Sequence, residues 1–184
     1  MGALRPFFVP KMEGNSMKKL TTRQIALNGI VAGLYAAVTI LTASFAYGNI
    51  QFRLSECLCV LVCFEPTLTV GLTLGCLIAN LFSTVSVLDI VIGTSATLLA
   101  CLLTVKIKKA LLVPLPTIVC NAIIVGAMLA WVLAPDTFWQ SFALFGAEVA
   151  AGEAAVLYVL GVPLYLFVKK TGLMEKLLAP KKEA

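Results

Sequence analysis

The sequence predicts an all-α integral membrane protein with six transmembrane helices and both termini in the cytoplasm. Of the 184 residues, 60% are hydrophobic and 12% are charged, which leaves too little polar surface for a soluble domain. The apolar residues form runs that approach the roughly 20 residues needed to span a membrane. With six spans, alternate segment ends fall on the same side of the membrane. All of the 14 Lys and Arg residues except Arg53 lie at the ends on one such side. Because short cytoplasmic segments retain basic residues, these ends belong inside.

Residues 1–16 differ from the rest of the chain. They show no helical period, and a bacterial-style start follows at Met17. We interpret residues 1–16 as an expression leader, an incorrectly assigned start or a disordered N-terminus. Residues 17–170 then form the six-helix substrate-binding domain, and residues 171–184 form a basic cytoplasmic tail.

The first predicted helix covers roughly residues 22–47, and Thr21 or Thr22 is suited to cap it. Its small residues recur at spacings of four, which predicts a smooth stripe on one face. Such a stripe lets another helix backbone approach closely, either within the bundle or in a separate membrane subunit. The stripe consists of Gly29, Ala32, Gly33, Ala36 and Ala37.

The second predicted segment, residues 53–64, is short for a span. We expect it to be tilted or partly re-entrant, which a membrane tolerates only where protein or a cavity covers the backbone. In the last helix, Pro163 and the adjacent Gly161 predict a kink or a thinning. The third to sixth helices are predicted at residues 66–82, 89–105, 114–133 and 138–168.

Polar side chains within or beside membrane spans are costly and usually functional. With the basic clusters inside, most of them fall in the outer half of the bundle. Polar groups that converge at one depth indicate a binding cavity. The candidate substrate-binding residues are Gln51, Phe52, Arg53, Glu56, Asn80, Asp89, Asn121, Glu148 and Glu153.

Some of these residues also have a structural interpretation. Arg53 and Glu56 are three positions apart and would share a helical face as a local ion pair at the cavity mouth. Asp89 is suited to be the N-cap of the fourth helix. Asn121 is placed to bond two helices together. These alternatives stay open at the level of the sequence.

Glu148 and Glu153 cannot both point at one ligand, because five positions correspond to about 140° around a helix. We favour the deeper Glu153 as the ligand contact and allow Glu148 to point outward. The aromatic residues near the same end have two interpretations, which are stacking on a planar ligand and an interfacial belt. They are Tyr47, Phe52, Phe82 and Trp139.

The residue types argue against catalysis. The chain has no His, no Lys falls inside a predicted span, and no metal-ligand set accompanies the carboxylates. We therefore predict no enzyme activity, no metal and no cofactor, and we interpret the six cysteines as small packing residues. Carboxylates and amides favour a neutral or cationic ligand rich in N–H donors, such as a guanine-like edge or an amine. Nucleic-acid binding is not expected, because no basic patch is interleaved with aromatic residues.

Several stretches on five helices resemble a known family in register over about residues 18–170. They are residues 51–56 (QFRLSE), 71–81, 89–94, 116–121, 152–158 and 161–164. These stretches resemble the QueT family, which is similar to the substrate-binding (S) components of energy-coupling factor (ECF) transporters. The cysteines between Glu56 and Cys63 depart from the family's usual aliphatic pattern.

The resemblance implies capture of a 7-deazaguanine, either a queuosine precursor or a salvage base, by a multi-pass protein of the bacterial cytoplasmic membrane. It also implies a transmembrane coupling subunit as partner, docked on the small-residue stripe, and two cytosolic ATPases. The chain itself has no GxxxxGK[ST] loop with which to hydrolyse ATP. The alternatives are an S component for another vitamin and a proton-coupled carrier that uses Glu148 and Glu153 as its relay.

Overall fold

A computed structural model describes residues 20–43, 52–83 and 86–179, and all regular structure within these ranges is helical. The elements in chain order are α1 (Thr22–Leu41), a 3-10 segment (Leu54–Cys63), α2 (Leu68–Asn80), α3 (Leu88–Thr104), α4 (Leu115–Leu133), a 3-10 turn (Pro135–Thr137), α5 (Phe138–Val156), a π turn (Leu157–Gly161), α6 (Val162–Thr171) and α7 (Leu173–Leu178).

Three helical stretches are long and apolar enough to cross a membrane: α1, α4 and the continuous run of residues 135–171. The 3-10 segment, α2 and α3 are shorter apolar helices. Large apolar side chains are exposed on the outer faces, including Leu41 and Val91, as expected for surfaces that contact lipid. The fold is therefore a membrane helical bundle. The count of six spans and their orientation stay predictions.

The start of α1 is confirmed. Thr21 and Gln24 form a capping box, in which the Thr21 hydroxyl accepts the Gln24 N–H at 3.3 Å and Gln24 Oε1 accepts the Thr21 N–H at 3.0 Å. The capping role considered for Asp89 is wrong. The N-cap of α3 is Val87, and Asp89 lies buried in the first turn because it faces the buried guanidinium of Arg53.

The short second segment folds as a 3-10 helix of ten residues, although 3-10 runs longer than three or four residues are uncommon. Val60 and Val62 are among its buried side chains, and the segment contacts α1, α2, α3 and the π turn. Protein therefore covers this irregular backbone, which is the condition under which a membrane tolerates such a segment. Gly161 makes the contact close, since a Cβ built there would lie 3.2 Å from Val60 Cγ1.

The backbones of α1 and α2 approach closely. A Cβ built at Gly71 would lie 2.5 Å from the Asn28 carbonyl oxygen, and one built at Gly75 would lie 2.7 Å from that of Ala32. The Asn28 side chain also accepts the Gly71 N–H at 2.7 Å. Small residues thus allow the tight helix contact that membranes favour.

This contact divides the small-residue stripe that was predicted as one face of α1. Ala32 and Ala36 are buried inside the bundle, whereas Gly29, Gly33 and Ala37 are exposed. The prediction of one continuous face is therefore wrong. Only the three exposed residues remain accessible to another protein.

The irregularity predicted near Pro163 is present as the π turn immediately before α6. Proline has no N–H to donate to the preceding turn, and π turns of this kind are often found at functional positions of helices.

Apart from Arg53, the basic residues of the described chain lie near the start of α1, in the loop between α3 and α4, and at the end of α6 and in α7. The Gln24 side chain donates to Glu65 at 3.3 Å, the Cys63 thiol donates to the Thr104 carbonyl at 3.4 Å, and the Tyr165 hydroxyl donates to the Lys108 carbonyl at 3.0 Å. These contacts join the start of α1 to the residue after the 3-10 segment, the end of that segment to the end of α3, and α6 to the loop after α3.

Candidate functional site

Three of the predicted site residues form one buried cluster. The Arg53 guanidinium donates to the side-chain oxygen of Asn80 and lies 3.8 Å from Asp89 Oδ2. Asn80 Nδ2 in turn donates to the backbone carbonyl of Asp89 at 3.0 Å, and the Ser83 hydroxyl donates to Asp89 Oδ2 at 2.7 Å. The end of α2 and the start of α3 thereby hold Arg53, which enters from the 3-10 segment.

Glu56 is fully buried, and three elements donate to it. Its Oε1 accepts the Tyr35 hydroxyl of α1 at 2.6 Å and the Thr97 hydroxyl of α3 at 3.0 Å. Its Oε2 accepts the Cys59 thiol of its own segment at 3.0 Å. Hydrogen bonds to a charged group are stronger than neutral ones, so this carboxylate fastens α1 and α3 to the 3-10 segment.

Cys76 joins the two clusters. Its sulfur lies 3.3 Å from the Thr97 hydroxyl and accepts a hydrogen bond from Asn80 Nδ2 at 3.4 Å. The polar network is therefore continuous from Tyr35 to Asp89. The prediction that the cysteines are packing residues is incomplete for Cys59 and Cys76, which also take part in this network.

A second pair of predicted residues joins α4 to α5. Asn121 and Glu153 are both about 1% exposed, and Asn121 Nδ2 donates to Glu153 Oε1 at 2.9 Å. The 3-10 segment that carries Glu56 also contacts α5, the helix that carries Glu153. Asn121 bonds two helices together, as its structural interpretation expected.

Three oxygens of these two clusters have no hydrogen-bond partner among the described residues: Asp89 Oδ1, Asn121 Oδ1 and Glu153 Oε2. Buried polar atoms are nearly always bonded, so such atoms call for an explanation. All three are acceptors, two of them on carboxylates. Oxygens of this kind accept hydrogen bonds from N–H donors.

The remaining predicted residues lie outside this arrangement. Glu148 is half-buried on α5, and its Oε2 is enclosed without a hydrogen-bond partner in the described part of the chain. Phe52 is half-buried just before Arg53. Gln51 falls outside the described residues.

The aromatic residues favour the interpretation as an interfacial belt. Trp139 is 78% exposed and Phe82 is 59% exposed, which does not suit rings that stack on an enclosed ligand. Phe138 contacts the rings of Trp131 and Trp139 in edge-on geometry. Such groups of aromatic rings are typical of the membrane–water interface. Tyr47 lies outside the described residues.

The sequence prediction missed Tyr35, Thr97 and Ser83 as members of the network. Tyr35 does carry a signal in the sequence, because a tyrosine in the middle of an apolar helix has a hydroxyl that needs a buried partner. Its partner is 21 positions away in the chain, and local spacing does not reveal it.

Comparison with known proteins identifies the family of this chain. Residues 25–170 match the family model described as QueT transporter. The chain belongs to the QueT transporter family. This confirms the resemblance found in the sequence, and since the family is one of transporters, it also confirms that the chain is not an enzyme. The matched region contains every described member of the polar network.

A relative from Lactococcus lactis subsp. cremoris (strain MG1363) is named queuosine precursor transporter QueT. It is 38% identical over 84 residues, which cover 45% of this chain and 49% of the relative. The match with this member of the QueT family thus spans about half the length of either protein. No solved structure matches the chain.

Proposed function

We propose that this chain is the substrate-capture subunit of an ATP-driven ECF-type importer. Its ligand is a 7-deazaguanine, either a queuosine precursor or a salvage base, held in the outer half of the helix bundle. Membership of the QueT transporter family and the name of the relative support this assignment. The single observation that carries the binding site is the set of buried acceptors on Asp89, Asn121 and Glu153.

The chemistry of a deazaguanine fits these acceptors. Its pyrimidine edge offers adjacent ring and exocyclic N–H donors, which one carboxylate accepts together. An aminomethyl substituent adds a cationic donor for a second carboxylate. Each buried polar atom left unbonded costs about 1–3 kcal/mol, and a ligand that supplies the missing donors removes that cost.

The predicted residues divide into two roles in this proposal. Glu153, Asn121 and Asp89 contact the ligand, while Arg53, Asn80 and Glu56 hold the surrounding helices in place. Gln51, Phe52 and the loop after Ser83 lie next to these residues in the sequence and gate the cavity. Glu148 stays a secondary candidate for the ligand's amine.

The exposed part of the α1 stripe is the proposed docking face for the coupling subunit. A Cβ built at Gly29 or Gly33 meets no atom within 4 Å in the described part of the chain, so a partner helix has room to approach. Two cytosolic ATPases complete the importer in the bacterial cytoplasmic membrane. The chain crosses the membrane six times, with the end that carries the basic residues inside.

Calorimetric titration of the detergent-purified chain tests the ligand. The titrants are 7-aminomethyl-7-deazaguanine, queuine and guanine, with riboflavin as the negative control. Tight binding of a deazaguanine and much weaker binding of guanine are expected. A folded, monodisperse sample that binds none of them would overturn the substrate class and direct the search to other vitamins.

Docking is tested by Gly33→Leu, with Ala155→Leu as the matched control at an exposed position of α5. Co-purification with the coupling subunit should be lost only in Gly33→Leu, while both variants bind ligand as the unmodified chain does. Equal co-purification of the two variants would remove this face from the interface.

Uptake by liposomes that contain the chain alone, driven by a pH step, would instead support the proton-coupled carrier.

A further inference from the structure

We propose that the cytoplasm-facing end of the bundle carries a specific site for the phosphate of an anionic phospholipid. The site is formed by Lys108 and Lys109, from the loop between α3 and α4, and by Lys169 and Lys170, from the last turn of α6. We call these four residues the lysine rim. This inference concerns the surrounding bilayer and does not depend on the proposed substrate.

Two contacts bring the parts of the lysine rim together. The Tyr165 hydroxyl of α6 donates to the Lys108 carbonyl at 3.0 Å, and the Lys169 ammonium lies 6.0 Å from the centre of the same tyrosine ring. The Tyr158 hydroxyl adds a second anchor by donating to the Leu111 carbonyl at 3.1 Å. The loop is therefore fixed against the helix that carries the other two lysines.

The positive charges of the lysine rim are not balanced by the described chain. All four lysines are exposed, and none forms an ion pair with a described residue. At this end, Glu65 is occupied by hydrogen bonds from Gln24 and Thr67. Tyr165 contacts both Lys108 and Lys169. Because like charges at one place repel one another, an anion that binds beside these residues is stabilising.

The neighbours of the lysine rim indicate a lipid rather than a soluble anion. Leu111 is 67% exposed on the loop, and Leu166 and Phe167 are 50% and 56% exposed on α6. Acyl chains cover such side chains in a membrane, while basic residues just beyond the hydrocarbon attract anionic headgroups. One phospholipid molecule contacts the lysines with its headgroup and the apolar side chains with its acyl chains.

The test compares two double variants of the full chain that remove equal charge. Lys108→Gln with Lys169→Gln alters the lysine rim, and Arg23→Gln with Lys176→Gln alters basic residues within α1 and α7. Binding of short-chain phosphatidylglycerol is measured in neutral detergent, with phosphatidylcholine and glycerol 3-phosphate as comparison ligands. A basic residue near an anionic surface contributes about fivefold to binding, so the rim variant should bind about 25-fold more weakly.

The control variant and the charge-preserving pair Lys108→Arg with Lys169→Arg should bind as the unmodified chain does. An equal loss in both glutamine variants would show a diffuse charge effect and overturn the site. Equal binding of phosphatidylcholine would overturn the requirement for an anion, and equal binding of glycerol 3-phosphate would overturn the assignment to a lipid. Circular dichroism and size exclusion confirm that each variant is folded.

Discussion

Glu56 and Glu153 are both buried carboxylates of the helix bundle, and they differ in where their hydrogen bonds come from. Glu56 accepts hydrogen bonds from Tyr35, Thr97 and Cys59, so the chain itself supplies donors to both of its oxygens. Glu153 accepts one hydrogen bond, from Asn121, and its other oxygen has no partner in the described part of the chain.

The difference in hydrogen-bond donors separates two roles that a buried carboxylate has in a protein. A carboxylate bonded by three elements of the bundle stabilises their arrangement, and an added ligand would have to displace an existing donor. A carboxylate that is half bonded retains an acceptor for something outside the chain. Burial alone therefore does not distinguish these two carboxylates, whereas the origin of their hydrogen bonds does.

The largest expected effect is on stability. Glu56→Ala removes the acceptor of two buried hydroxyls, each of which costs about 1–3 kcal/mol when unbonded. We therefore expect Glu56→Ala to lower the free energy of unfolding by about 2–6 kcal/mol, measured by thermal unfolding in detergent. Unchanged stability would show that Glu56 does not fasten the helices and would break the comparison.

The next effect is on affinity. Glu153→Gln keeps the oxygen bonded to Asn121 but places an amide donor where the second carboxylate oxygen stood. Because a hydrogen bond to a charged group contributes about 1.5–3 kcal/mol, calorimetry should show the deazaguanine bound about 10- to 150-fold more weakly. The unfolding temperature should change little. Unchanged affinity would remove Glu153 from the site.

A smaller effect sharpens the comparison. Tyr35→Phe removes one donor of Glu56 and leaves those of Thr97 and Cys59, so stability should fall by about 1–2 kcal/mol while ligand affinity is retained. Thermal unfolding and calorimetry on the same sample measure both quantities. If affinity fell as far as in Glu153→Gln, Glu56 would belong to the ligand shell as well.

The sequence predicted the helical class and most element positions because apolar runs, caps and prolines are local signals. Thr21 and Pro163 are examples, and both mark the expected places. It also selected the charged residues that the bundle buries, since charges within apolar runs are rare.

Other features depend on tertiary contacts that local patterns do not contain. Aspartate is a residue type that favours helix N-caps, but Asp89 faces the interior of the bundle. There it lies beside Arg53, which is 36 positions earlier in the chain. The small residues of α1 have a regular spacing, yet the approach of α2 decides which of them are exposed. Which acceptors remain unbonded follows only from the packed arrangement.

The ten-residue 3-10 segment has a consequence for axial reach. A 3-10 helix rises about 2.0 Å per residue, compared with about 1.5 Å in an α-helix, so the segment extends about 20 Å rather than about 15 Å. The difference is close to one α-helical turn. Rewinding residues 54–63 into an α-helix, with the end at Cys63 fixed, would draw Arg53 about 5 Å along the axis of the segment and away from Asp89.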